Sequence, residues 1–184
     1  EPSDDNGNGG GNGNGNGDEA NGSASDADLL IRSDNTFGNA EEDAVRRDFT
    51  INGLFYDVNA FAVIDYVGGL RDLEARLIRC IGDPYVRFRE DPVRMLRAVR
   101  FASRLGFTIE ESARQAMINL APEICRASPA RLFEEVMRLF AYGSGESAFK
   151  LLHETGLLQQ ILPVIADGLA NAGPEGQARF WQYL

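Results

Sequence analysis

The stretch EDPVRMLRAVRFASRLG, residues 90–106, decides how the chain is read. It opens on two carboxylates, has proline as its third residue, and repeats arginine at Arg94, Arg97, Arg100 and Arg104. Aspartate is a favoured N-cap, and proline in the first turn gives up only an N–H that has no helical partner. A helix therefore starts at Asp91-Pro92. At about 100° per residue the four arginines share one arc, while Met95, Leu96, Ala98, Val99, Ala102 and Leu105 fill the rest of the circle. One face is cationic and the other apolar. Such a stripe is ordinarily a solvated surface. Two features set this one apart: the helix itself offers no carboxylate at i±4 to pair the stripe, and Asp91 stands one turn before Arg94, so an acceptor and a planar donor share the helix mouth.

That pair suits a nucleobase edge. Adenine presents an exocyclic amine beside a ring acceptor, and cytosine presents the same order; a carboxylate accepts from the amine while a guanidinium donates to the ring nitrogen. Guanine and uracil present the reverse order. An Asp91/Arg94 reader admits A and C and rejects G and U. Glu90 is read only as a partner of the helix dipole.

Upstream, residues 1–28 are Gly, Asn, Asp and Ser with almost no apolar side chain, and are expected to be a disordered linker or loop. Their glycines are no phosphate loop, since no GK[ST] follows. Order is expected from Leu29. Residues 41–47 read as a charged helical turn. Residues 49–58 and 61–67 read as two strands of an antiparallel hairpin, with Asn59-Ala60 as the connection and Gly68-Gly69 as a break. Residues 77–81 read as a third short strand. Beyond Pro84 the pattern is helical: 87–105; a helix capped by a Thr108/Glu111 box; 131–140 behind Ser128-Pro129; 147–155; and a last helix, 157–165, running through Pro163. Asp65 and Asp72 are assigned turn and cap duties, and His153 a structural or solvated place.

The net charge of −10 is unevenly spread. Residues 1–43 hold eleven acids and one base; over the remainder, seventeen acids and seventeen bases cancel. Residues 44–104 carry eleven arginines against eight acids, a local field that favours an anion despite the low pI. Seventeen of the eighteen cations are arginine, the residue suited to bidentate recognition of phosphate. No apolar run approaches the length of a membrane span, and Cys80 and Cys125 are isolated, which fits a reduced, cytoplasmic setting.

Three stretches, RRDFTINGLFYD (46–57), DYVGGLRDLEARLIRCIGDP (65–84) and REDPVRMLRAVRFASRLGF (89–107), resemble the class II nucleotidyltransferases, the bacterial poly(A) polymerases and CCA-adding enzymes. SDNTFGNAEEDAVRRDFT and SPARLFEEVMRLF are more similar to the poly(A) polymerase branch. The resemblance implies an α+β chain: a pol-β-like head with short antiparallel strands (29–83), then an all-α neck that binds RNA (84–184). It implies transfer of AMP from ATP to an RNA 3′-OH with release of pyrophosphate, assisted by Mg²⁺. Asp48 takes the catalytic role, either completing a metal-binding set or accepting from the ribose 2′-OH. Arg46 and Arg47 take the triphosphate. Asp91 and Arg94 read the base, and Arg97 and Arg100 support the triphosphate or hold Asp91. Asn52 and Tyr56 are candidates for the nucleotide pocket. The family's Asp-x-Asp metal pair is not found before Arg46 in a strand setting, so the metal ligands are unknown and this chain alone is expected to be inactive. CCA addition, or a non-catalytic helical RNA-binding module, are the alternatives.

Overall fold

A computed structural model describes residues 39–183; the expectations for residues 1–28 and for Leu29 lie outside them. The chain enters through α1 (Ala40–Arg46), where Asn39 and Glu42 make a capping box: Asn39 Oδ1 accepts from the Glu42 N–H at 2.8 Å, and Glu42 Oε2 accepts from the Asn39 N–H at 3.2 Å.

The expected strand over 49–58 is broken in two. Phe49 makes an isolated antiparallel bridge with Cys80, Thr50–Asn52 form a 3-10 turn, and β1 is only Leu54–Asp57. Glycine explains the break. A Cβ at Gly53 would lie 2.6 Å from Val67 Cγ2, and one at Gly69 would lie 2.2 Å from the Thr50 carbonyl oxygen, so the turn closes only with glycine at both points. β1 pairs antiparallel with β2 (Ala62–Asp65), Leu54 opposite Asp65 and Asp57 opposite Ala62. The connection spans residues 58–61, longer than the tight turn expected, and Asp57 Oδ1 accepts from the Asn59 and Ala60 N–H groups within it.

Gly68-Gly69 is no break. It opens α2 (Gly69–Glu74), whose first N–H groups are received by Asp65: Oδ1 accepts from Val67, Gly68 and Gly69, and Oδ2 from Leu70. Burial raises the Asp65 carboxyl, but these N–H donors outweigh it and hold the group below its ordinary value. Asp72 does more than a turn duty; it is buried and accepts from Thr50 Oγ1 at 2.7 Å and Arg79 Nε at 3.0 Å, tying α2 to the 3-10 turn and to the residue after β3 (Leu77–Ile78).

The helical half follows as α3 (Pro84–Glu90) and α4 (Val93–Leu105). Asp91 and Pro92 form the corner between them: Asp91 is extended, Asp91 Oδ1 accepts from the Val93 N–H, and Gly106 in the left-handed region ends α4. The Thr108/Glu111 box does not form, because Thr108 and Ile109 are instead a two-residue strand, β4, parallel to β3. Thr108 gives its N–H to the Arg76 carbonyl, and α5 (Glu111–Leu120) starts without a side-chain cap. A 3-10 segment, Ala121–Arg126, leads to α6 (Pro129–Phe140), capped by Ser128 Oγ as expected. Then come α7 (Gly145–Glu154), α8 (Leu157–Ile161), α9 (Pro163–Asn171) and α10 (Gly173–Gln182). Pro163 starts a helix rather than lying within one, since its ring displaces the preceding residue from helical geometry; Leu162 sits at φ −139°.

α4 is central, packing on α6, α7 and the β3/β4 pair. Its apolar face (Met95, Leu96, Ala98, Val99, Ala102) is fully or almost fully buried in one continuous core with Phe49, Ile78, Phe88, Met117, Ile124 and Leu152. Phe49 from the strand-rich half thus packs into the helical half, which sets the segment around Asp48 directly against the arginine face of α4. The architecture is α+β, with short strands followed by helices.

Candidate functional site

A polar cleft of about 370 Å³ lies where the C-terminus of α1, the segment after it, the mouth of α4 and the start of α6 meet. Of the residues singled out above, Arg46, Arg47, Asp48, Asp91, Arg94 and Arg97 all line it; Asp43 and Arg131 complete the wall. Its size lies in the range of small-molecule sites.

Asp48 is buried and fully engaged. Oδ1 accepts from the Phe49 N–H and from Asn52 Nδ2, both at 2.9 Å, and Oδ2 accepts from Arg97 Nε at 2.6 Å. Burial raises the carboxyl, but the hydrogen bond and charge of Arg97, then Asn52 and the Phe49 N–H, outweigh it and hold Asp48 ionised below its ordinary value. The segment is pinned on both sides: Thr50 N–H donates to the Arg79 carbonyl and Ile81 N–H to the Asp48 carbonyl.

Arg87 fixes the two arginines that precede Asp48. Its Nη2 donates to the carbonyls of Arg46 and Arg47, each at 2.7 Å, and its Nη1 to Glu90 Oε2 at 2.7 Å. The Arg47 side chain pairs with Asp43 at 2.7 Å. Glu90 is thus no mere dipole partner. It ends α3, where a carboxylate is disfavoured by the dipole, and is held there by Arg87 and by Arg94 Nη1 at 2.9 Å. Arg94 consequently reaches the cleft from a buried position, also donating to the Arg87 carbonyl at 3.1 Å. The absence of i±4 acids within α4 holds, but the last residue of the preceding helix supplies one.

At the opposite end, Asp91 Oδ2 accepts from Arg131 Nη2 at 2.7 Å. The hydrogen bond to Asp91 raises the Arg131 guanidinium above its ordinary value. Neither Arg97 nor Arg100 holds Asp91, contrary to one of the two roles expected of them. Arg97 holds Asp48, while Arg100 turns away from the cleft, donates to Glu135 Oε2 at 2.8 Å and lies 4.4 Å from the centre of the Phe101 ring. The helical twist between positions 97 and 100, together with α6 packed over the stripe, separates them. Asn52 reaches the site through Asp48, whereas Tyr56 is exposed on the hairpin and outside the cleft. His153 sits exposed on α7 near Trp181, away from the cleft.

Sequence reasoning missed Arg87, Arg131 and Glu135. Nothing local points Arg131 at a carboxylate forty residues earlier; the sequence signal available was only that Ser128-Pro129 starts a helix with an arginine in its first turn. Among the described residues no group of three or more His, Cys, Asp or Glu is placed to hold a metal ion, and both Asp48 oxygens already have partners. These residues do not fit a Mg²⁺ site on their own.

Comparison with known proteins meets this geometry. Residues 17–79 match the model of the poly A polymerase head domain, and residues 106–169 match the model described as the probable RNA and SrmB-binding site of polymerase A. The chain belongs to the family of bacterial poly(A) polymerases and CCA-adding enzymes. Within the family it is 49% identical over 151 residues to poly(A) polymerase I of Escherichia coli O157:H7, covering 82% of this chain and 32% of that protein. It is 39% identical over 155 residues to a CCA-adding enzyme of Lactobacillus delbrueckii subsp. bulgaricus, covering 79% and 38%. The crystal structure of the Bacillus stearothermophilus CCA-adding enzyme in complex with CTP superposes with a TM-score of 0.67 at 37% identity, over 77% of this chain and 34% of that one. The chain therefore spans about a third of the length of these relatives. α3 and α4, which carry Asp91, Arg94 and Arg97, lie between the two matched segments, and Arg131 and Glu135 lie inside the second.

Proposed function

We propose that the protein containing this chain extends RNA 3′ ends by template-independent transfer of AMP from ATP, with release of pyrophosphate. The observation that carries this reading is the single cleft in which Asp48 and the Asp91/Arg94 pair face one another across Arg46, Arg47 and Arg97. In this reading Arg46, Arg47 and Arg97 neutralise triphosphate oxygens, and Asp91 and Arg94 take the Watson–Crick edge of adenine. Asp48 accepts from the ribose 2′-OH, a role open to a carboxylate oxygen with a lone pair to spare; serving as a metal ligand requires Arg97 to give way. Mg²⁺ supplies charge neutralisation at the phosphates when bound, and its ligands are assigned to residues other than those described here. Arg100 serves the site indirectly. The chain divides in the same way: 29–83 as the later part of the head and 84–184 as the neck that meets RNA.

A second reading, CCA addition to tRNA, is favoured by the likeness to the CTP-bound CCA-adding enzyme and by the fact that an acid–arginine pair admits cytosine as well as adenine. The higher identity to poly(A) polymerase I supports the first. Incubating the full-length protein with an RNA primer and all four nucleotides decides between them. A homopolymeric A tail is the expected product; a stop after three nucleotides establishes CCA addition, and binding of RNA without incorporation establishes a non-catalytic module.

A further inference from the structure

A second carboxylate stands behind the cleft, and nothing in its chemistry there is explained by folding alone. Glu135, on α6, is buried at 4% exposure among three guanidiniums. Arg100 Nε donates to its Oε2 and Arg138 Nη1 to its Oε1, both at 2.8 Å, while Arg97 Nη1 approaches Oε1 at 3.9 Å. Arg100 and Arg138 already balance its charge. Arg97 is the shared element: its Nε holds Asp48 at 2.6 Å while the other edge of the same planar group faces Glu135. A guanidinium is rigid, so its place at one carboxylate constrains its place at the other. The Phe101 ring backs this arrangement, with Arg97 5.4 Å and Arg100 4.4 Å from its centre. One helical turn before Glu135, Arg131 of the same helix holds Asp91. α6 thus carries two charged contacts four residues apart, one on each end of the cleft.

We propose that Glu135 is a positioning residue for the nucleotide-transfer site: it sets the plane and position of Arg97 and through it the orientation of Asp48, so that the seating of α6 on α4 governs the geometry of the reacting end of the cleft. The inference rests on the transferase reading above. It assigns to α6, inside the segment matched by the RNA-site model, a second task of aligning the nucleotide site.

The test uses the full-length protein and Glu135→Gln, which keeps the shape and removes the charge. Misplacement of a reacting group by about 1 Å costs on the order of a hundredfold in rate, so kcat is expected to fall by about 10- to 100-fold while KM for ATP stays within about threefold. The measurement is made well below the melting temperature. Arg97→Lys is expected to lower kcat comparably, and the double variant to be no worse than the weaker single one, because both disturb one unit. In arginine-labelled protein the Arg97 Nε–H resonance is expected to shift in Glu135→Gln. If Glu135→Gln does not fold, Glu135→Asp, which retains the charge but withdraws it by one methylene, carries the same three measurements. A kcat within twofold of wild type, independent effects that multiply in the double variant, or an unmoved Arg97 resonance each overturns the proposal. If the wild-type protein transfers no nucleotide, the functional reading fails, and the resonance alone decides whether Glu135 positions Arg97.

Discussion

The two ends of the cleft are built differently. At one end Asp48, 8% exposed in its side chain, is held mainly by neighbours in sequence, with Phe49 and Asn52 on one oxygen and Arg97 on the other. At the other end Asp91, 17% exposed, depends on Arg131, whose side chain is 53% exposed and belongs to a different helix. The first end is a buried, mutually satisfied network, the kind in which removing one partner strands the others. The second is a surface ion pair, worth little in stability but decisive for which way a carboxylate faces. A cleft with one rigid and one adjustable end suits a site where a reaction centre stays constant and a base reader must seat and release.

That contrast can be broken at either end. The largest effect is expected at Asp48: Asp48→Ala in the full-length protein should lower turnover by at least about a hundredfold, and retention of more than about a tenth of the wild-type rate would make the residue purely structural. Next comes exchange of the reader charges, Asp91→Arg with Arg94→Asp. Reversing donor and acceptor order should move preference from ATP toward UTP, measured as the ratio of kcat/KM values; unchanged ATP selectivity removes base reading from this pair. Arg94 is buried against Glu90, so the exchanged protein must first be shown folded by circular dichroism.

Smaller effects sharpen the comparison. Arg131→Ala should leave thermal stability nearly unchanged, by about 1 kcal/mol at most, since the pair is half exposed. Selectivity among nucleotides should nonetheless loosen by a few-fold, because Asp91 is no longer aimed. A melting point lowered as much as by loss of a buried pair would erase the distinction between the two ends. The smallest effect is the pH dependence of stability. The Asp48 carboxyl is depressed in the folded state, so its contribution is fully present above the unfolded value of about 3.9 and is lost as pH falls through the folded value. Denaturant titrations of wild type and Asp48→Asn should therefore converge as pH is lowered below about 4; a gap that stays constant to pH 2 contradicts the depressed value.

Much of the helical half was legible because its signals are local. Ser128-Pro129 starts α6, Gly106 ends α4 and the apolar positions of α4 face the core, all as spacing and caps dictate. The strand-rich half was less so. Phe49 reads as the start of a long strand, yet Gly53 and Gly69 let the chain fold back onto the Thr50 carbonyl, and Thr108 reads as a cap yet joins a strand whose partner lies thirty-one residues earlier. In the site, the resemblance and the arginine spacing picked out Asp48, Asp91, Arg94 and Arg97 as a group, and these do share a cleft. Arg100 was grouped with them on periodicity, but packing of α6 gave it to Glu135.

From the order of residues alone came the arginine face of α4, the acid–arginine pair at its mouth, the aspartate behind two arginines and the family to which these belong. Tertiary structure alone decided which carboxylate each guanidinium meets: Arg97 with Asp48, Arg94 with Glu90, Arg131 with Asp91, Arg100 with Glu135. The reason is physical. Caps and periodicity act over a few residues and are written in the local sequence, whereas a long cation can reach many acids, and only the packing of helices around a shared core brings one of them within hydrogen-bonding distance.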